Sequence, residues 1–71
     1  MYLDTPSALI ARALMENWQY LYISALRKRC NTPSQVAQAV TTAERMGLRL
    51  VGTLNYEERK AYHKIGERRL Q

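Results

Sequence analysis

The chain has 71 residues, a formal net charge of +5 and an isoelectric point near 9.8. A chain of this length forms one domain with a small core and a thin margin of stability. Its single cysteine, Cys30, and single histidine, His63, exclude an internal disulfide and argue against a four-ligand zinc site. Oligomerisation is the remaining common source of stability, so we expect a homo-oligomer.

The longest helical pattern begins at Thr5, a favourable N-cap that is followed by Pro6 at the first helical position. It ends in a basic run at Arg29, which suits the negative end of a helix dipole. Between them, apolar residues recur at spacings of three and four and form one stripe: Ile10, Leu14, Trp18, Leu21 and Ala25. The pattern predicts one long helix over about residues 5–30.

Several apolar residues lie on the polar side of this predicted helix. Such residues indicate a second contact surface, with another part of the chain or with a second subunit. Trp and Tyr are also common interface anchors. We therefore predict a protein interface at Leu9, Trp18, Tyr20, Tyr22 and Ile23, and expect Ile23→Asp to split an oligomer without loss of helix. The alternative for Trp18 and Tyr22 is that they fill the core.

A second helix is predicted for about residues 33–46. Thr32 precedes a proline, and Gln35 follows three residues later as in a capping box. Its apolar face consists mainly of short side chains: Val36, Ala39, Val40, Ala43 and Met46. Gly47 is a natural left-handed residue after the helix, and Leu48 supplies the apolar contact of a Schellman end.

The segment from Leu48 to Val51 alternates and ends in a β-branched residue, which indicates an extended segment. The chain offers it no partner strand, so it either pairs with the same segment of another subunit or serves as a linker. A third helix over about residues 56–69 follows, with Asn55 and Glu58 as a second capping box.

These elements predict an all-α fold in a single domain over residues 1–71. The domain would have three helices: one long N-terminal helix, a capped helical hairpin, and a third helix after the short extended segment.

The run from residue 32 to residue 65 combines a Thr-Pro-started helix, the sequence Gly47-Leu48-Arg49-Leu50-Val51 and an acidic helix start at Glu57-Glu58. In these features it resembles small, uncharacterised early-region proteins of lambdoid phages and prophages. The resemblance covers about half of the chain. It implies a compact protein with a regulatory or host-directed role, and it implies no mechanism.

Catalysis needs titratable groups that converge in a pocket. With one His, one Cys and one Asp, the chain provides no triad, and its three glycines form no phosphate-binding loop. We therefore predict that it is not an enzyme and has no catalytic residue, metal or cofactor. A thiolate pair of Cys30 and His63 is the alternative, but a small apolar role for Cys30 at a helix end is favoured.

The N-terminal residues include Asp4 and show no basic region before an apolar run, and no stretch of about 18 apolar residues occurs. An unpaired cysteine also suits a reducing compartment. We therefore expect a cytoplasmic protein with no membrane partner.

Two binding functions remain. The favoured one is a small regulatory protein that binds another protein, as an oligomer, through its apolar and aromatic helix surface. The alternative is a basic DNA-binding regulator, although a helix-turn-helix that starts at Ser34 would lack its turn glycine and a separate recognition helix. Its phosphate contacts would come from Arg27, Lys28, Arg29, Arg59, Lys60, Lys64, Arg68 and Arg69.

Overall fold

The structure is a computed structural model that describes residues 5–70, with the backbone alone for residues 68–70. This part of the chain contains four helices and two short strands, in the order α1 (Pro6–Met15), β1 (Tyr20–Tyr22), α2 (Ile23–Lys28), α3 (Pro33–Arg45), β2 (Arg49–Val51) and α4 (Tyr56–Leu70). The two strands form a parallel sheet. The prediction of an all-α fold with three helices is therefore wrong.

The predicted long helix is interrupted at Asn17, whose backbone is left-handed with φ of 56°. The Trp18 N–H donates to the Ala13 carbonyl at 2.9 Å and the Asn17 N–H to the Leu14 carbonyl at 3.4 Å, which is a Schellman ending. Asparagine tolerates this conformation better than most residues because its short polar side chain can hydrogen-bond locally. The prediction of one helix over residues 5–30 is thus wrong, because α1 ends before β1 and α2 is a separate short helix after it.

The prediction that the extended segment has no partner within the chain is also wrong. The register of β1 against β2 gives three opposed pairs: Tyr20 with Arg49, Leu21 with Leu50, and Tyr22 with Val51. A parallel pair needs a crossover connection, and α2 and α3 provide it here.

The N-cap predictions for α1 and α3 are confirmed. The Thr5 hydroxyl accepts from the Ala8 N–H and the Thr32 hydroxyl from the Gln35 N–H, each at 3.1 Å. The Gln35 side chain accepts from the N–H of Asn31, one residue before the position that a standard capping box uses.

The predicted end of α3 is confirmed as well. Gly47 has φ of 87°, and the Leu48 N–H donates to the Ala43 carbonyl at 3.0 Å. Because Asn17 ends α1 in the same way, each strand follows a helix with a Thr-Pro start and a Schellman end.

The core lies between the helices and the inner face of the sheet. Its apolar cluster comprises Leu9, Ile10, Ala13, Leu21, Ile23, Leu26, Val36, Ala39, Val40, Ala43 and Leu48. α3 contributes Val36, Ala39, Val40 and Ala43 to this cluster, and these short side chains let neighbouring elements approach closely. No helix among the described residues is long and apolar enough to cross a membrane.

Candidate functional site

Arg27, which was predicted as a phosphate contact, forms an ion pair within the domain. Its Nε donates to Glu58 Oε2 at 2.7 Å and its Nη2 to Glu58 Oε1 at 2.8 Å, so the pair is bidentate. The same Nη2 donates to the Thr53 carbonyl at 3.0 Å. The Glu58 side chain is only 3% exposed. The pair therefore joins the end of α2 to the first turn of α4.

Glu58 also completes the predicted capping box of α4, which is confirmed. The Asn55 N–H donates to Glu58 Oε1, and the Glu58 N–H donates to Asn55 Oδ1, both at 2.9 Å. Hydrogen bonding from Arg27 lowers the pKa of the Glu58 carboxyl, although burial opposes the shift. The carboxylate is thus held in its charged form by groups that also fix the fold.

The two residues considered for thiolate chemistry lie in different settings. Cys30 is half-buried near Glu58, and burial, followed by the charge of that carboxylate, raises the pKa of its thiol. A reactive thiolate needs the opposite shift. His63 is exposed on α4, where its ring meets the ring of Tyr62 edge-on at 6.1 Å between centroids. No cluster of three or more potential metal ligands occurs among the described residues.

The five residues predicted as a protein interface fall in different environments. Leu9 and Ile23 are 8% and 5% exposed and belong to the core. Trp18 is half-buried and packs against that core. Tyr20 and Tyr22 are 52% and 60% exposed. Of these five residues, only the two tyrosines therefore present a large accessible side chain.

Both tyrosines lie on the outer face of the parallel sheet. Side chains alternate along a strand, and the inner positions are taken by Leu21, which is buried, and Leu50, which packs against the core. We call the outer row the tyrosine face: Tyr20, Tyr22, Arg49 and Val51, all exposed. In the register of the sheet, each tyrosine is opposite one of the other two residues. The face therefore combines aromatic rings, one guanidinium and one branched apolar side chain.

An exposed face is unusual for a parallel sheet, because parallel sheets are normally covered on both faces. Here the core covers the inner face, while both tyrosines remain more than half exposed on the other. Two large apolar side chains that precede the strands in the chain are also exposed: Met15 at the end of α1 and Met46 after α3.

The basic residues predicted for nucleic-acid contact are dispersed. Lys60 and Lys64 line one groove between α3 and α4. Arg29 lines a second groove, between the start of α1 and α3. Those outside both grooves are Arg27, Lys28 and Arg59. The side chains that lie outside the described part of the structure are those of Arg68 and Arg69.

Comparisons with known proteins give no relative: no family model, curated protein or solved structure matches the chain. The resemblance of residues 32–65 to small phage proteins therefore stays a prediction.

The sequence prediction missed Arg49 and Val51 as members of a surface. They join the tyrosines only because β1 and β2 pair. One local signal was present: residues 20–22 alternate aromatic, aliphatic and aromatic, which is typical of a half-buried strand, and Asn17 precedes them as a helix terminator.

Proposed function

We propose that this protein is a small, non-enzymatic interaction module that self-associates through the tyrosine face. The uncovered outer face of its parallel sheet supports this role, because Tyr20 and Tyr22 are 52% and 60% exposed there. Tyrosine is enriched among the residues that dominate binding energies, since its rigid ring buries a large area at little entropic cost. The unpaired, half-buried Cys30 suits a reducing compartment such as the cytoplasm.

A second copy of the chain is the partner that this face fits best. A two-fold interface brings the same patch together from both subunits, so the patch has to be complementary to itself. The tyrosine face meets this condition, because Arg49 provides a guanidinium and Tyr20 and Tyr22 provide rings on which a guanidinium stacks. Face-to-face contact would also cover the parallel sheet on both sides.

The size of the face predicts a weak, reversible dimer. Each tyrosine has about 200 Å² of surface, so the exposed parts of the four residues amount to roughly 300–400 Å² per copy. A standard interface buries about 800 Å² per partner. Other exposed apolar side chains, such as Met15 and Met46, would have to contribute for the dimer to be stable at low concentration.

Sedimentation equilibrium over a roughly hundredfold concentration range tests this function, because the mass of a weak dimer rises with concentration. The variant Tyr20→Ser with Tyr22→Ser should remain a monomer throughout. The matched control is Tyr56→Ser, which removes a 65% exposed tyrosine from α4 and should associate like the unaltered protein. A monomeric mass for the unaltered protein at every concentration would refute self-association.

A further inference from the structure

Glu44 supplies the one carboxylate among the exposed residues of α3, and it accepts a hydrogen bond from the Tyr62 hydroxyl of α4 at 2.8 Å. Because α3 is covered on most of its circumference, its other exposed residues over positions 34–45 form a narrow strip. The strip residues are Ser34, Gln35, Gln38, Thr42 and Arg45. Gln38 lines both flanking grooves, so the strip lies between them. The surface thus consists of amides, hydroxyls and cationic groups.

The groove between α3 and α4 is lined by two lysines and one carboxylate, whereas the groove beside α1 is lined by one arginine. The α3–α4 cavity of about 350 Å³ is lined by Ser34 and Gln38 on α3 and by Lys60 and Lys64 on α4. The two lysines are four residues apart and therefore lie on the same side of α4, with their Cβ atoms about 6 Å apart. Both can reach along the groove toward one extended anion.

The one carboxylate that lines this groove is weakly engaged. Glu57 Oε2 is 4.0 Å from Lys60 Nζ, and both side chains are more than half exposed, so solvent screens the pair. Lys60 Nζ also lies 5.2 Å from the centre of the Tyr56 ring, an exposed contact of small energy. Neither contact would prevent Lys60 from turning to an external anion.

We propose that the α3–α4 groove binds the phosphate backbone of a nucleic acid. Lys60 and Lys64 contact the phosphates of one strand, while Ser34 and Gln38 donate hydrogen bonds to phosphate or sugar oxygens. A nucleic acid fits better than an acidic peptide, because the amides and hydroxyls of the α3 strip can also bond to sugars and base edges. The net charge of +5 favours encounter with such a polyanion. The groove belongs to a single chain, so binding does not depend on the tyrosine face.

Fluorescence anisotropy with a labelled, mixed-sequence DNA duplex at several salt concentrations tests the proposal. Lys60→Glu with Lys64→Glu should weaken binding by roughly tenfold or more and lower the salt slope by about two, one for each lost phosphate contact. Lys28→Glu with Arg59→Glu makes the same change of charge at exposed positions that line neither groove. This control should lose clearly less affinity than the groove variant, because its charges act on the polyanion only through solvent and are screened as the salt concentration rises.

Three outcomes would overturn the proposal. They are failure of the unaltered protein to bind the duplex at the lowest salt, an equal loss of affinity in the two charge-reversed variants, and competition by polyglutamate as effective as that by unlabelled DNA. Circular dichroism of each variant separates loss of binding from loss of fold. A neutral change, Gln38→Ala, should weaken binding while the salt slope stays unchanged, because it removes a hydrogen bond and no charge.

Discussion

Arg27 and Glu58 form a bidentate ion pair that joins the end of α2 to the first turn of α4, with oxygen–nitrogen distances of 2.7 and 2.8 Å. Because the carboxylate is nearly inaccessible and also accepts from the Asn55 N–H, three donors satisfy it. A charge buried in this way is stable only while its partners are present. The pair therefore connects the short helix after β1 to the last helix of the domain.

Removal of the guanidinium should destabilise the domain strongly. Arg27→Ala leaves the Glu58 carboxylate buried without its cation, a change that costs about 3–5 kcal/mol for fully buried pairs. Since the Arg27 side chain is 39% exposed, water can enter, and we expect a loss of roughly 2–3 kcal/mol. Urea unfolding measures this loss. Lys28→Ala, at the next and exposed position, should change the free energy of unfolding by less than about 0.5 kcal/mol.

The same carboxylate predicts a dependence of stability on pH. Its pKa is lower in the folded chain than its ordinary value of 4.5, so the folded state binds fewer protons than the unfolded state. The stabilisation is therefore complete above about pH 4.5 and is lost as the pH falls through the lowered pKa of the folded state. Urea unfolding at a series of pH values from acidic to neutral should show Glu58→Gln to be less stable near neutrality but less sensitive to acid. An acid sensitivity equal to that of the unaltered protein would assign the effect to other carboxylates, such as Glu16, whose pKa its bond with Arg12 also lowers.

Asn17 should tolerate glycine and little else. Its φ of 56° is accessible to glycine without strain, so we expect Asn17→Gly to match or exceed the stability of the unaltered chain. A branched residue bears the full cost of the left-handed conformation, and Asn17→Val should lose about 1–2 kcal/mol. Thermal unfolding of the two variants gives the comparison. Equal stabilities would mean that the chain does not turn out of α1 at this residue.

The sequence predicts those parts of the fold in which the interacting residues lie close together along the chain. Helix starts at Thr5, Thr32 and Asn55, and the end of α3 at Gly47, were predicted because capping groups lie within a few residues of each other. The parallel sheet was not predicted. Its strands have three residues each and lie 29 positions apart, and the residues of β1 also fit the spacing of an apolar helix.

The residues of the candidate site were also predicted only in part. Surplus aromatic residues marked Tyr20 and Tyr22 as interface candidates, and both are exposed. Leu9 and Ile23 were predicted to lie outside the core-facing stripe because they were placed on one continuous helix. With the helix broken at Asn17, both turn into the core. Lys60 and Lys64 were predicted as phosphate contacts from their charge alone. That they line the α3–α4 groove apart from the other basic residues depends on the packing of α4 on α3, which the sequence did not predict.

Two glycines predict opposite effects of one substitution. Gly47 has φ of 87°, and a methyl group added there would meet open space, so Gly47→Ala should cost about 1 kcal/mol through backbone strain alone. Gly66 lies within α4, also with open space, and alanine is the better helix former by about 1 kcal/mol. Gly66→Ala should therefore stabilise the domain. Thermal unfolding checks both signs, and destabilisation by Gly66→Ala would show that α4 requires a glycine at this position.

Neighbouring substitutions at Tyr22 and Ile23 separate self-association from folding. Ile23 is 5% exposed, so Ile23→Asp places a carboxylate in the core and should unfold the domain, which corrects the sequence-based expectation that it would only split an oligomer. Tyr22→Asp alters an exposed side chain on the outer face of the sheet and should keep the helical circular dichroism. Because the variant removes one of the two rings of the tyrosine face and leaves a hydrated charge that contact would have to desolvate, it should abolish the rise of mass with concentration. A folded Ile23→Asp chain would contradict the burial of this residue, and an associating Tyr22→Asp chain would place the contact between copies elsewhere.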